Sequence, residues 1–185
     1  MAILLKNEYI IDFVLLKNLI FFTASIAIFF IDLKHYIIPD VISLPLIVIG
    51  VGFAFLTPEP GWKSAVLGGV VGFSLFYTIA WLYFRYKQVV GLGGGDIKYL
   101  AAVGAFVGIV GLPFVLLISS FVAIMAFLAM SILKIKRQEP HIQDVPIEQG
   151  QNILPYGPFL VLGTFLYLML GDVLLNLYLD FIFFY

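Results

Sequence analysis

Long apolar runs dominate this 185-residue chain and constrain its fold more than any other feature. A bilayer core of roughly 30 Å needs about 20 apolar residues for each helical crossing. Hydrophobic residues make up 63% of the sequence and charged residues 11%, whereas a soluble domain has a charged share of about 25%. The sequence therefore predicts an all-α polytopic membrane protein that forms a single domain over residues 1–185.

Six apolar runs are separated by breaks rich in polar residues, glycine and proline. The runs cover residues 9–31, 41–56, 64–84, 97–110, 112–133 and 154–178. Only Gly111-Leu112-Pro113 separates the fourth run from the fifth, and it is either a tight turn or a kink within one longer helix. We expect six spanning helices, and we expect the first to stay in the membrane rather than be removed as a signal peptide.

The basic residues are unequally divided between the two sides of this six-helix arrangement. One side holds Lys34, Arg85, Lys87, Lys98, Lys134, Lys136 and Arg137, and the other side holds Lys6, Lys17 and Lys63. Cytoplasmic loops of membrane proteins carry the excess of Lys and Arg. We therefore expect a multi-pass protein of the cytoplasmic (inner) membrane, with the richer side in the cytoplasm and both termini on the opposite side.

The composition excludes several classes of site. The chain has no cysteine, so disulfides, structural zinc sites and a thiol nucleophile are ruled out. Its two histidines, His35 and His141, could supply only a minority of any metal shell. A net charge of -1 provides no basic field to attract nucleic acid. We expect no metal, no organic cofactor and no nucleic-acid partner.

Three aspartates flank apolar runs, where a carboxylate has either a structural or a catalytic use. Asp40 and Asp96 directly precede apolar runs, so each could cap the free N–H groups of a helix N-terminus. For Asp40 the capping role is favoured over catalysis. Asp32 instead follows a run, where its negative charge opposes the helix dipole. Because acidic residues at membrane depth are costly, Asp32 and Asp96 are candidate functional residues.

Glycine is concentrated directly before Asp96, in the segment Gly91-Leu92-Gly93-Gly94-Gly95-Asp96-Ile97-Lys98. The segment fits neither phosphate-binding pattern, because aspartate replaces the last glycine of the dinucleotide motif and Gly-Lys-Ser/Thr is absent. Bare glycines also allow another peptide backbone to approach closely. Two interpretations remain, a carboxylate beside a bound peptide and a flexible loop with a capping aspartate.

Three segments, taken in chain order, resemble one known family. The segment 93–96 resembles the GxGD signature of polytopic membrane aspartyl proteases, and 31–40 is similar to the first catalytic segment of type IV prepilin peptidases. Residues 154–160, Leu-Pro-Tyr-Gly-Pro-Phe-Leu, resemble the Pro-Phe/Tyr-Gly-Pro motif that opens a late helix in that family. The resemblance extends from about Phe22 to the C-terminus.

This resemblance implies a role for each matching residue. Asp32 and Asp96 would be the catalytic pair, and Gly93, Gly94 and Gly95 would lie where the substrate backbone approaches. Structural roles are implied for Pro39, Asp40, Lys98, Pro155, Gly157 and Pro158. One aspartate would act as base and the other as acid, without a metal or cofactor.

The resemblance also implies a substrate, a prepilin or pseudopilin with a short basic leader in the cytoplasm and an apolar helix in the membrane, cut after a glycine. Bifunctional members carry an additional helix and a cysteine-bearing segment before the part that this chain resembles. The chain is then either a short protease or the core of a bifunctional enzyme. We expect no methyltransferase activity from it.

Two alternatives from other classes remain. A small transporter or channel would use Asp32 and Asp96 as a proton or cation site and predicts inverted repeats, which we do not find in the sequence. In an assembly factor the same acids would only fix the topology. The sequence does not indicate which pilin is cut, how the substrate enters the site, or the oligomeric state.

Overall fold

A computed structural model describes residues 2–88, 91–133 and 156–183, and the secondary-structure elements in these ranges are all α-helices. The helices are α1 (Ala2–His35), α2 (Asp40–Phe53), α3 (Trp62–Lys87), α4 (Gly94–Ile132) and α5 (Gly157–Phe183). Three segments are long and apolar enough to cross a membrane, namely Ile10–His35, Trp62–Lys87 and Gly94–Ile132. The predicted all-α class is confirmed, and the apolar helices indicate a membrane protein.

The described residues form five helices rather than the expected six, because the fourth and fifth apolar runs are joined in α4. The expected turn at Gly111-Leu112-Pro113 is wrong by a few residues. The break lies at Gly108, whose φ of 76° and ψ of 176° are not helical, and Pro113 lies inside the helical segment that follows. Glycine adopts a positive φ without the steric cost that a side chain would add, which explains why the break occurs at residue 108.

Small residues let α3 and the first segment of α4 pack backbone against backbone. A Cβ added at Gly72 would lie 2.8 Å from the carbonyl oxygen of Leu100, and one added at Gly68 would overlap the backbone of Gly104. Since Gly72 meets Leu100 and Gly68 meets Gly104, the two segments run antiparallel. Glycines spaced four residues apart are a common means of close packing between spanning helices. Residues 99–108 are all buried, so this segment is the core of the bundle.

The second segment of α4 runs in the opposite direction to the first. It packs along α5, where an added Cβ at Gly111 would lie 2.7 Å from the Tyr167 ring and one at Gly163 would contact Ser119. This segment is therefore antiparallel to α5. Because α3 ends and α5 begins at the same end of the bundle, the first segment of α4 leaves that end and the second returns to it. Gly108 is the point of reversal.

A buried lysine ties α1 to the connection between α2 and α3. Lys17 is only 6% exposed, and its Nζ donates to the backbone carbonyl of Glu59 at 3.1 Å. The Thr57 hydroxyl donates to the same carbonyl at 3.1 Å. These bonds fix the turn at the end of the bundle opposite the aspartates.

Candidate active site

Asp32 and Asp96 line the same cavity, which has a volume of about 180 Å³. The first comes from the end of α1 and the second from the start of α4, and the negative charge of Asp32 acts on the Asp96 carboxyl group. The cavity is lined by Asp32, Tyr36, Ile37, Ile38, Gly93, Gly94, Gly95 and Asp96. The structure thus brings together the two acids and the three glycines that the sequence singled out.

Asp32 is placed by the way α1 ends. The Tyr36 N–H donates to the Asp32 carbonyl at 2.9 Å, and Tyr36 has a left-handed φ of 57°. This geometry terminates the helix and directs residues 37–39 across the cavity. The Asp32 side chain is 4% exposed, and the backbone N–H of Gly157 interacts with its carboxyl group.

Asp96 is the third residue of α4, and the N-cap is Gly93. Asp96 is therefore not the capping residue, which was one of the two interpretations that the sequence left open. Its side chain instead lies beside the N-cap residue, since a Cβ added at Gly93 would be 3.2 Å from Asp96 Oδ2. The first turn of a helix favours negative charge, so this position can hold an anionic carboxylate.

Each of the two carboxyl groups keeps one buried oxygen that forms no hydrogen bond. Asp32 Oδ2 and Asp96 Oδ1 find no donor among the residues that the structure describes. Most buried polar atoms in proteins are paired, and leaving one unpaired costs about 1–3 kcal/mol. Two unpaired carboxyl oxygens at one site therefore lower the stability of the fold, so stability alone does not explain why both aspartates are placed there.

The three glycines before Asp96 differ in the space around them. A Cβ at Gly95 would lie 2.7 Å from the Cβ of Ile38, and one at Gly93 would lie 3.2 Å from Asp96 Oδ2. A Cβ at Gly94 would meet nothing within 4 Å. The chain's own residue Ile38 therefore occupies the face of Gly95, whereas the face of Gly94 is open.

Asp40 does not cap α2, contrary to the expectation from the sequence. The N-cap is Pro39, and no side chain forms a capping hydrogen bond there. Asp40 Oδ2 instead accepts from Lys98 Nζ at 2.6 Å, an ion pair whose side chains are 53% and 32% exposed respectively. Because Lys98 follows Asp96 by two residues, this pair joins the start of α2 to the start of α4 beside the cavity.

Gly157, the first residue of α5, packs directly against Asp32 and Ile38. A Cβ at this position would lie 2.5 Å from Asp32 Oδ2 and 2.9 Å from Ile38 Cδ1, so a side chain would displace the carboxylate. Pro158 is the second residue of α5, where its missing N–H costs no helical bond. Pro155 and the polar segment 134–153 lie outside the described residues.

Several residues near the aspartates were not singled out as site residues in the sequence, namely Tyr36, Ile37 and Ile38 of the cavity lining and Tyr156. Ile38 is buried between Gly95 and Gly157. The Tyr156 hydroxyl lies 3.3 Å from Ser120 Oγ. All four belong to segments that resemble the family motifs, and this position in the motif was the only available signal.

Known proteins that are similar to this chain are leader peptidases. The type IV leader peptidase family matches residues 19–128, a range that contains both aspartates. Among curated relatives named prepilin leader peptidase/N-methyltransferase, the one from Aeromonas hydrophila is 34% identical over 154 residues, which are 83% of this chain and 49% of that protein. The one from Pseudomonas aeruginosa is 31% identical over 156 residues, 84% of this chain and 50% of that protein.

The chain thus spans about half the length of the curated relatives it matches. No solved structure matches it. The family match covers more than half of the chain and includes the segments that carry Asp32 and Asp96. This protein belongs to the type IV leader peptidase family.

Proposed function

We propose that this protein is an aspartic endopeptidase that removes the short basic leader from type IV prepilins or related pseudopilins. Family membership supports the substrate class. The observation that carries the mechanism is the shared cavity of Asp32 and Asp96, in which each carboxyl group has one buried oxygen without a partner in the described residues. In the proposed mechanism these unpaired carboxyl groups are the ones that would contact the attacking water and the peptide carbonyl.

In the proposed reaction the two carboxyl groups share a proton, because two carboxylates in one buried cavity do not ionise independently. The ionised aspartate removes a proton from water, and the water oxygen attacks the scissile carbonyl carbon. The protonated aspartate donates its proton to the carbonyl oxygen. When the tetrahedral intermediate collapses, the C–N bond breaks and the amine leaves with a proton from the first aspartate. The second aspartate takes back a proton from a hydroxyl group of the intermediate as the new carboxyl group forms. Both groups are then ready for another cycle.

The position of the cavity supports cleavage at the membrane surface. Asp32 lies in the last turn of α1, and Asp96 lies in the first turn of α4, so both carboxylates are near the ends of apolar helices. We propose that this end of the bundle faces the cytoplasm, because Arg85 and Lys87 lie in the last turn of α3, which ends there. A substrate with a basic leader in the cytoplasm and an apolar helix in the bilayer would then present its junction to the cavity.

The direct test is cleavage of a prepilin by the purified protein in detergent or lipid, followed as a decrease in pilin mass. Wild-type protein should release the leader, and Asp32→Asn should release none. The remaining alternative is a transporter that uses the same two acids. Proton flux into vesicles, without cleavage of any prepilin or pseudopilin, would favour that alternative and contradict the proposal.

A further inference from the structure

A buried hydrogen bond joins the two helices that carry the aspartates. The Tyr99 hydroxyl donates to Ser25 Oγ at 2.9 Å, and both residues are 0% exposed. Ser25 belongs to α1 and Tyr99 to the first segment of α4. Neither hydroxyl group takes part in the proposed reaction, so the reaction itself does not account for this polar pair in the core.

Each residue of the pair shares a helix face with the aspartate of its own helix. Ser25 precedes Asp32 by seven residues, and Tyr99 follows Asp96 by three. Both spacings return to the same side of an α-helix. The chain is helical without a break from Ser25 to Asp32 and from Asp96 to Tyr99. The bond therefore lies about two turns from one carboxyl group and one turn from the other, and a shift of either helix at the bond moves its aspartate as well.

The neighbouring contact on these two faces is apolar. Phe21, one turn before Ser25, packs against Phe106 with 4.6 Å between the ring centroids. Apolar packing is not directional, whereas a hydrogen bond weakens steeply when its angle is distorted. Close backbone packing holds α4 against α3, α5 and α2, and it holds α1 against α5 and α2. Tyr99 and Ser25 thus supply a directional contact between α1 and α4.

The stability of the fold does not require this pair. A hydroxyl group in an apolar core needs a hydrogen bond to offset the cost of its burial, and replacement of both partners by apolar groups of the same shape is nearly neutral or stabilising. Phenylalanine and alanine have almost the same shapes as tyrosine and serine. What the two hydroxyl groups add is a fixed distance, 2.9 Å, between an atom of α1 and an atom of α4.

We propose that Tyr99 and Ser25 are positioning residues that set the separation of Asp32 and Asp96. The inference rests on the proposed peptidase function, in which both carboxyl groups act on one water molecule and one carbonyl group. Misplacement of reacting groups by about 1 Å can lower a rate by about 100-fold. Loss of the bond should therefore lower kcat and leave KM nearly unchanged, because the substrate still binds but the two carboxyl groups no longer meet its scissile bond together.

The test compares Tyr99→Phe, Ser25→Ala and the double variant in prepilin cleavage, with kcat expressed per molecule that elutes as folded protein in gel filtration. Each single variant should lower kcat by about tenfold or more, with KM within about twofold of wild type. The double variant should be no slower than either single one, because both substitutions remove the same bond. It should unfold at the wild-type temperature or above, because it leaves no hydroxyl group of the pair unpartnered.

Ser119→Ala is the matched control. Ser119 is also 0% exposed, and its hydroxyl donates to the Val115 carbonyl at 2.7 Å. That bond lies within α4 and does not join it to α1. The control therefore loses a buried hydroxyl group while the contact between the two aspartate-bearing helices is kept, and its kcat should stay within about twofold of wild type.

Wild-type kcat in folded Tyr99→Phe and Ser25→Ala would overturn the positioning role, and so would a loss of the same size in Ser119→Ala. A kcat that falls in the single variants and recovers with stability in the double variant would overturn it too, because the bond would then serve packing alone. If Tyr99→Phe does not fold, Ser25→Ala and the double variant decide in the same way. Failure of the wild-type protein to cleave any prepilin or pseudopilin would instead contradict the peptidase function, so the two failures are distinguishable.

Discussion

At the scale of single residues, the structure separates Asp32 and Asp96 from the third aspartate of the same region. Asp32 and Asp96 face one cavity, and each has a buried oxygen without a donor in the described residues. Asp40 is 53% exposed at its side chain and is paired with Lys98. Both carboxyl groups lie directly against glycines, since an added Cβ would lie 2.5 Å from Asp32 Oδ2 at Gly157 and 3.2 Å from Asp96 Oδ2 at Gly93. The glycines are therefore part of the site's geometry.

We expect Asp32→Asn and Asp96→Asn each to abolish prepilin cleavage, because asparagine can neither hold the shared proton nor act as a base. The double variant should be no less active than either single one, since residues that act as a unit are non-additive. Each variant should be at least as stable to heat as the wild type, because a neutral amide of nearly the same shape replaces a buried group that can carry a charge. Cleavage on a gel and thermal unfolding are the measurements.

Asp40→Asn is the control for these variants and should retain substantial activity. A dead Asp40→Asn together with an active Asp32→Asn would mean that the catalytic pair is Asp40 with Asp96.

Gly95→Ala should lower kcat/KM at least tenfold, whereas Gly94→Ala should stay within about twofold of wild type. The added Cβ at residue 95 would lie 2.7 Å from Ile38, and at residue 94 it would meet nothing within 4 Å. Overpacking of this kind costs about 1–3 kcal/mol, so Gly95→Ala should also unfold at a lower temperature. Equal effects of the two substitutions would contradict the placement of Ile38 against Gly95.

At the scale of helices, the sequence predicted well what depends on local pattern. The apolar runs located the helices, and the motif segments around Asp32 and Asp96 indicated the site. The prediction failed where a contact with a distant residue determines the structure. From its neighbours in sequence, Asp40 was interpreted as a helix cap. Its actual partner, Lys98, lies 58 positions further along the chain and has no local signal. The sequence predicted a turn at Gly111-Leu112-Pro113, because glycine and proline occur together there. The structure has the break at Gly108, which is packed against Ser64 and Pro60 from a distant part of the chain.

The Asp40–Lys98 pair should contribute little to stability and more to the position of α2 relative to α4. Exposed ion pairs contribute about 0.2–1 kcal/mol, so Asp40→Ala should cost no more than that, without the additional loss of a helix cap. A double-mutant cycle with Lys98→Ala, read by thermal unfolding, should give a coupling within this range. Cleavage activity that is lost in Lys98→Ala should be restored in the double variant that exchanges the two charges, Asp40→Lys with Lys98→Asp. Full additivity of the two single variants would show that the pair does not interact.

Gly108→Ala should destabilise the fold by about 2 kcal/mol or more. The positive φ of 76° is costly for alanine, at about 1–3 kcal/mol, and its Cβ would lie 2.5 Å from Ser64 Oγ and 2.6 Å from Pro60 Cβ. Ser64 accepts from the Ile109 N–H at 3.2 Å, so the start of the second segment would be disturbed as well. Gly52→Ala is the matched control, since it has open space around it. A wild-type unfolding temperature for Gly108→Ala would contradict the reversal at this residue.

At the scale of the whole molecule, the fold gathers segments that are far apart in sequence at one end of the bundle. The end of α1, the start of α2, the start of α4 and the start of α5 surround the aspartates. The first segment of α4 is enclosed by its neighbours, so it can be shorter than a lipid-facing helix. The opposite end is closed by Lys17 and Glu59 and by the contact of Ser64 with Ile109. One end therefore carries the chemistry, and the other holds the helices together.

The last prediction concerns topology. If α4 reverses at Gly108, α1, α2, α3, the two segments of α4 and α5 make six passes between the two ends of the bundle, and an even number returns the chain to the side on which it began. Positive charge is concentrated at the end that carries Asp32 and Asp96, which predicts that this end is cytoplasmic. A reporter that is active only outside the cytoplasm should therefore be active when fused after residue 185, and the same reporter inserted near residue 87 should be inactive. Activity of a cytoplasmic reporter after residue 185 would mean an odd number of crossings and would contradict the reversal of α4 as a pair of membrane passes.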